Sequence, residues 1–162
     1  LGRCPKCILS GVNLSRRNLK SANLSQSDLS GANLYKANLK DANLADANLS
    51  NANVTGANLS GANLNRADLQ GANLSGSDLQ YAKLKRANLT GANLNGADLR
   101  KANFFGADLR NAKLEWTKLR GANLIEANLT DAIIKFEINE NLDTAILGKT
   151  QTSSGEQNSD CK

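Results

Sequence analysis

Leucine recurs at nearly every fifth position from Leu9 to Leu129. From Leu14 to Leu129 there are 24 consecutive positions of this phase, and only Val54 and Phe104 among them are not leucine. Alanine lies two residues before the central residue in 19 of these 24 repeats. Because an internal repeat constrains the class of fold more strongly than local propensity does, this period is the first feature to explain.

The residue between the alanine and the leucine is Asn or Asp, except at Lys83, Lys113 and Lys118. Ten of the thirteen glycines lie two residues after the central residue. A period of five fits neither a helix, which repeats every 3.6 residues, nor a strand, which repeats every two. The pattern instead predicts short extended segments that turn once per repeat, with Ala and Leu facing inward and Asn, Gly and Ser favouring the turns.

The run ANLSGANLNRADLQGANL, from Ala57 to Leu74, resembles the pentapeptide repeat family, whose motif is A-(D/N)-L-x-x. This resemblance covers about four fifths of the chain. It implies an all-β fold, a right-handed quadrilateral parallel β-helix with one pentapeptide per side and twenty residues per coil. The period by itself does not give the number of repeats per coil, so the expected six to seven coils rest on the resemblance.

The chain is predicted to form one domain with four segments. Residues 1–7 are an N-terminal cap segment with a Cys pair, and residues 8–134 are the repeat β-helix. After Ile134 the phase breaks and then partly recovers at Leu142 and Leu147. Because an open solenoid end exposes unpaired backbone, we expect residues 135–147 to be a C-terminal cap or degenerate repeats. Residues 148–162 are polar and predicted to be a disordered tail.

Aromatic residues make up only 4% of the chain, which is too few for an ordinary globular core but suits a narrow core of stacked Leu and Ala. No apolar run is long enough to predict a transmembrane segment. Because the sequence begins at Leu1, we expect a mature product or a trimmed chain, with any signal peptide upstream. Export to the periplasm or thylakoid lumen, where many proteins of this family occur, is favoured over the cytoplasm.

Cys4 and Cys7 form a C-x-x-C pair whose phases both point inward at the N-terminal end. The pair is compatible with a redox motif, with half of a zinc site for which Cys161 is the only other thiol, or with a disulfide or two buried thiols. No thioredoxin-like context follows, and zinc needs four ligands, so the last interpretation is favoured. A disulfide requires an oxidising compartment. Arg17 also has an inward phase, and we expect its guanidinium to reach solvent at this end.

The chain has no His, so neither a Ser–His nor a Cys–His arrangement is available. Its carboxylates fall on regular ladders of residues twenty apart, such as Asp28, Asn48 and Asp68, which indicates a structural role. We therefore predict a protein that is not an enzyme, with no catalytic residue, no cofactor and no metal ligand.

A basic ridge is the first candidate partner surface. The twenty-residue coil places its members on two adjacent faces, interrupted by Asp78 and Asp98. An acidic protein, anionic lipid or nucleic acid is a possible partner; a solvated face that keeps the protein soluble is the simpler interpretation. Nucleic acid is disfavoured because no stacking aromatics are interleaved. The ridge consists of Arg66, Lys83, Lys85, Arg86, Arg100, Lys101, Lys118 and Arg120.

Outward apolar residues form the second candidate surface, near the C-terminal end of the repeats. Phe105 and Ile125 are twenty residues apart and are predicted to stack, and Trp116 projects from another face. An exposed apolar cluster indicates either a covering segment or a partner.

The favoured function is a rigid structural or protein-interaction module, with an unidentified protein partner and a monomeric state. The resemblance offers one alternative, a DNA-mimicking gyrase binder, which would need a strongly negative surface. Residues 8–134 instead carry 15 Lys and Arg against 10 Asp and Glu. A binder of ice, mineral or carbohydrate surfaces is a third possibility, but outward threonines are sparse, with only Thr55, Thr90 and Thr130 in the repeats.

Overall fold

The computed structural model describes residues 2–135 and the backbone of residues 151–152. In this part of the chain the regular strands are β1 (Asn128–Leu129) and β2 (Gln151–Thr152), which pair in parallel. Isolated parallel bridges connect the remaining coils, and each joins residues twenty apart, from Arg3↔Asn23 to Lys113↔Ile133. The chain is therefore a parallel β-solenoid in which four pentapeptides make one coil.

Backbone hydrogen bonds explain why the pentapeptide is the unit. The amide of Leu59 donates to the Asp78 carbonyl in the next coil at 2.7 Å, while the amide of Ala62 closes a turn onto the Leu59 carbonyl at 2.9 Å. Gly61, the third residue of that turn, has φ +69°. The equivalent position has positive φ in every repeat from Lys6 to Asp131, with ten glycines and sixteen other residues. Type II turns require this conformation, which glycine adopts without strain.

The interior is a stack of leucines and alanines along the axis. Leu24 to Leu109 are at most 1% exposed, and Phe104 and Val54 occupy leucine positions at 0%. Ser77 and Thr117 take alanine positions and remain buried because each hydroxyl donates to a carbonyl three residues earlier, at 2.6 Å and 2.9 Å. A buried hydroxyl without such a partner would be destabilising.

The Asn and Asp residues before each leucine have a structural role. In a typical repeat the Asn58 Oδ1 accepts the amide of Ser60 at 3.0 Å, which holds the backbone as it leaves the extended segment. Some of these side chains also bond to the coil before: Asn48 donates to Asp28, and Asn53 donates to Asn33, each at 3.3 Å. The predicted side-chain ladder is thus present at these positions.

Lysine replaces Asn or Asp at three of these positions, and in the repeats of Lys83 and Lys113 a neighbouring asparagine replaces the lost hydrogen bond. Lys83 cannot accept the amide of Lys85, which instead donates to Asn65 Oδ1 from the coil before, at 3.0 Å. In the repeat of Lys113, the amide of Glu115 donates in the same way to Asn95 Oδ1 at 3.0 Å. The lysines can therefore face outward without leaving these backbone amides unsatisfied.

Cys4 and Cys7 are joined as a disulfide, with a Cα–Cα distance of 5.6 Å, and both are half-buried at the N-terminal end. Ser27, which occupies an alanine position in the next coil, holds this loop in two ways. Its hydroxyl donates to the Cys4 carbonyl at 2.8 Å and accepts the Cys7 amide at 3.1 Å. Arg17 is exposed despite its inward phase, as its place near the N-terminal end of the coil stack predicted.

Replacing Ser27 by Ala is expected to lower the free energy of unfolding by about 1–3 kcal/mol, because two backbone groups lose their partner. Hydrogen exchange should accelerate at Cys7 more than in the central coils. Ser77→Ala is the matched control, since the Ser77 hydroxyl only supplements an existing turn bond to Leu74. Equal losses of stability in the two variants, with unchanged exchange at Cys7, would contradict the clamping role of Ser27.

The register changes at the C-terminal end. Asn128 pairs with Gln151, so this connection spans 23 residues where the other bridges span 20. The predicted cap or degenerate repeats at 135–147 lie, apart from Lys135, outside the described residues. Within the predicted disordered tail at 148–162, Gln151–Thr152 instead form strand β2, and the remaining residues lie outside the described part. The described residues contain no helix with the length and apolarity needed to cross a membrane.

Candidate interaction surface

The solenoid places the basic ridge across two adjacent sides. One side carries residues around Leu84, and the other carries residues around Leu99 and Leu119. All eight members of the ridge are exposed, and Arg66 lies one coil before Arg86 in the same column. The side-chain contacts divide these cations into paired and unpaired groups.

Arg66 and Arg100 are paired. The guanidinium of Arg66 donates two hydrogen bonds of 2.7 Å to Asp46, and that of Arg100 contacts Asp98 at 2.6 Å. The Arg66 hydrogen bond lowers the pKa of Asp46, and the same contact raises the pKa of Arg66. Their positive charge is therefore locally compensated.

The Asp98 carboxylate, which interrupts the ridge, is largely shielded from solvent, with a side chain that is 18% exposed. Burial acts to raise the pKa of Asp98, but hydrogen bonds from Arg100 and the positive charges of Arg100 and Lys118 lower it overall. Asp98 therefore stays ionised at neutral pH and reduces the positive potential of the Leu99 side.

The Leu84 side keeps its charge. Lys83, Lys85 and Arg86 form no ion pair with any described residue. On the adjacent side the ammonium group of Lys101 lies 5.4 Å from the centre of the Tyr81 ring, in a cation–π contact. Lys83, Lys85 and Arg86 are therefore three neighbouring cations of the ridge without a counter-ion among the described residues.

A surface groove of about 300 Å³ opens at this place. Arg66, Lys85 and Arg86 supply cations, Asn65 supplies an amide, and half-buried Phe105 supplies an apolar wall. We call these five residues the Phe105 groove. Unpaired cations beside an aromatic ring can bind a ligand that carries both a carboxylate and an apolar group.

The three apolar residues of the second candidate surface lie on two faces of the solenoid, and Trp116 is farther from the other two than predicted. Ile125 follows Phe105 in the same column, and the Ile125 carbonyl accepts the amide of Gly106 at 2.9 Å. Trp116 is eleven residues from Phe105, about half a coil, and its 57% exposed side chain therefore lies on the far side of the solenoid. Phe105 and Ile125 can share a partner, whereas Trp116 belongs to a different surface.

The described residues offer few features that are suited to catalysis. No group of three Cys, Asp or Glu side chains in this part is arranged to hold a metal ion. One interior cavity of about 20 Å³ lies between Phe104 and Ile134 and has an entirely apolar lining. It holds little more than the volume of one water molecule, so it is too small for a substrate.

Two members of this surface are absent from the sequence-based prediction. The repeat pattern does not single out Asn65, although it both lines the groove and supports the backbone of Lys85. Tyr81 was not singled out, although it contacts Lys101. The sequence contains one signal for Asn65. Because Lys83 replaces the usual Asn, the amide of Lys85 needs another acceptor, and Asn65 lies one coil before it.

The profile of the family described as pentapeptide repeats matches eight copies in residues 7–44, 42–80, 82–121 and 107–136. HetL, a pentapeptide repeat protein involved in heterocyst differentiation regulation from the cyanobacterium Nostoc sp. strain PCC 7120, is 36% identical over 96% of this chain and 74% of its own, with a TM-score of 0.44. The Arabidopsis thaliana thylakoid-lumen pentapeptide repeat protein AT2G44920 is 33% identical over 64% and 68%, with a TM-score of 0.50.

QnrB1, a plasmid-mediated fluoroquinolone resistance protein, is similar in fold at a TM-score of 0.71, with 17% identity over 95% of this chain and 80% of its own. No curated protein matches the chain. The repeat profile covers most of the chain and agrees with the twenty-residue coil, so the chain belongs to the pentapeptide repeat family.

Proposed function

We propose that this protein is a rigid, non-enzymatic protein-interaction module, a right-handed four-sided tower of six to seven coils that binds an acidic segment of a partner protein. The binding surface is the basic ridge, and the Phe105 groove is its centre. The observation that carries this proposal is the coincidence of two unpaired cations, Lys85 and Arg86, with an apolar wall in one groove.

Rigidity supports recognition by such a surface. The backbone beneath the groove is bonded to the coils on both sides, for example from the Arg86 amide to the Phe105 carbonyl at 2.9 Å. The cations are thereby held in columns with a spacing of about 4.8 Å between coils. A preformed array of this kind loses little conformational entropy on binding, apart from that of its long side chains.

A DNA-mimicking gyrase binder has less support. The similarity to QnrB1 is a similarity of fold at 17% identity. The repeats carry more Lys and Arg than Asp and Glu, so their surface has the opposite charge from that of DNA. Protection of gyrase supercoiling by this protein would overturn this judgement.

The test is affinity capture from a native extract with wild-type protein and a Lys85→Glu/Arg86→Glu variant. We expect the variant to recover a specific partner at least about tenfold less well, because reversed charges repel an acidic segment. Lys113→Glu/Lys135→Glu is the control, since it reverses two charges on the opposite side and outside the N-terminal coils. If all three proteins recovered the partner equally well, the ridge would be interpreted as a surface that keeps the protein soluble.

A further inference from the structure

The first forty residues carry seven Lys and Arg but only one acidic residue, Asp28. Four of these cations occupy outward positions in two consecutive coils. Lys20 and Lys40 lie in one column on the side of Leu19 and Leu39. The other two lie in a second column at the neighbouring corner. We call the four residues the N-terminal basic patch: Arg16, Lys20, Lys36 and Lys40.

The charge of the N-terminal basic patch is not compensated by other described residues. All four side chains are exposed, and none forms an ion pair within residues 2–135. Asp28 lies half a coil away, on the opposite side of the solenoid. The nearest acid along the chain is Asp41, which follows Lys40 at the next corner. The patch therefore presents four positive charges together.

Tyr35 organises the corner of this patch. The guanidinium carbon of Arg16 lies 6.0 Å from the centre of the half-buried Tyr35 ring, and the ammonium group of Lys36 lies 5.3 Å from it. The stem of Lys36 also packs beside Gly56 in the next coil, with its Cγ 3.3 Å from the position that a Cβ there would take. Both cations are thus positioned by contacts that leave their charge unneutralised.

We propose that the N-terminal basic patch docks on an anionic phospholipid membrane surface. A bilayer is a plane of negative charge, and the side of a β-solenoid is a matching plane on which cations repeat from coil to coil. Each Lys or Arg near such a surface strengthens binding about fivefold, and the effect falls off within a Debye length. Four neighbouring cations are therefore sufficient for reversible binding.

The same features favour a membrane over a nucleic acid or an acidic protein. Nucleic-acid grooves present aromatic faces on which bases stack, whereas the Tyr35 ring is already in contact with two cations of its own chain. The groove that would suit a peptide lies elsewhere, at Phe105. Three of the four patch residues are lysines, which act as flexible point charges and suit a diffuse layer of headgroups.

This proposal is independent of the proposed function, because it uses other residues and another partner. The test is co-sedimentation of the full chain with vesicles of phosphatidylglycerol and phosphatidylcholine, compared with vesicles of phosphatidylcholine alone. We expect binding only to the anionic vesicles, weakening as salt is raised. The variant Lys20→Glu/Lys36→Glu/Lys40→Glu should reduce binding roughly 100-fold.

The matched control is Lys83→Glu/Lys85→Glu/Arg86→Glu, which changes net charge equally in the basic ridge. It should retain most vesicle binding, and thermal unfolding of both variants checks that they remain folded. Failure of the wild-type protein to bind anionic vesicles would overturn the proposal, as would an equal loss in the control. If the wild-type protein bound a short duplex DNA more tightly than the anionic vesicles, and the patch variant lost this binding, the patch would be assigned to nucleic acid instead.

Discussion

Replacing Leu64 by Ala is expected to lower the free energy of unfolding by about 3–5 kcal/mol, the upper part of the range for buried leucines. Leu64 is 0% exposed and lies between Leu44 and Leu84 in the coils on either side. The cavity cannot close easily, because hydrogen bonds hold the backbone around it. The amide of Leu64 donates to the Lys83 carbonyl at 2.7 Å, and the amide of Asn63 donates to the Ala42 carbonyl at 2.9 Å.

Denaturant unfolding monitored by circular dichroism measures this loss. Leu9→Ala is the control, since Leu9 is half-buried in the first coil and should lose less stability. Leu64→Met keeps most of the volume and should cost less than about 1.5 kcal/mol. If Leu64→Ala and Leu9→Ala were equally destabilising, the leucine stack would not be the cooperative core that its burial indicates.

Replacing Gly61 by Val is expected to produce the second large effect, a loss of about 2–4 kcal/mol. At φ +69° a β-branched side chain is strongly disfavoured. The Asp41 carboxylate in the coil before lies where a Cβ on Gly61 would go, but this exposed side chain can turn aside, so most of the loss comes from the backbone. None of the sixteen non-glycine residues at equivalent positions is β-branched, which agrees with this expectation.

The two causes can be separated by a matched variant. Gly96 has φ +67°, but no atom lies within 4 Å of the position that its Cβ would take. Gly96→Val therefore reports the backbone cost alone, and Gly61→Val should exceed it only by the small cost of turning the Asp41 side chain aside. Adding Asp41→Ala to Gly61→Val should remove the difference, as measured by thermal unfolding. A difference that persists without the Asp41 side chain would show that contact with this carboxylate is not its cause.

Much of the fold is predictable because each pentapeptide repeats the same local choices. The inward phase of Leu and Ala, the positive-φ turn position and the structural role of Asn and Asp all follow from the period, and the structure confirms them. The separation of Trp116 from Phe105 also follows once the coil contains twenty residues, although the period of five alone does not provide that number.

The candidate surface was less predictable because its members depend on contacts between coils. Residue type alone could not distinguish Arg66 and Arg100, which are paired with carboxylates, from Lys85 and Arg86, which are not. Nor could it show that Ser27, one of several departures from Ala, clamps the loop between Cys4 and Cys7. The change of register to 23 residues at β2 has no signal in the repeat phase.

The sequence by itself determined which residues face inward. Ala and Leu keep a constant phase in a five-residue period, so they can all be buried together only if every repeat adopts the same conformation. Only the tertiary structure decided which outward charges are neutralised, because ion pairs such as Arg66–Asp46 join residues twenty apart and depend on side-chain direction. It also decided where a groove opens, since the Phe105 groove requires three consecutive coils to stack. Local chemistry therefore specifies the solenoid, and stacking between coils specifies the surfaces available for binding.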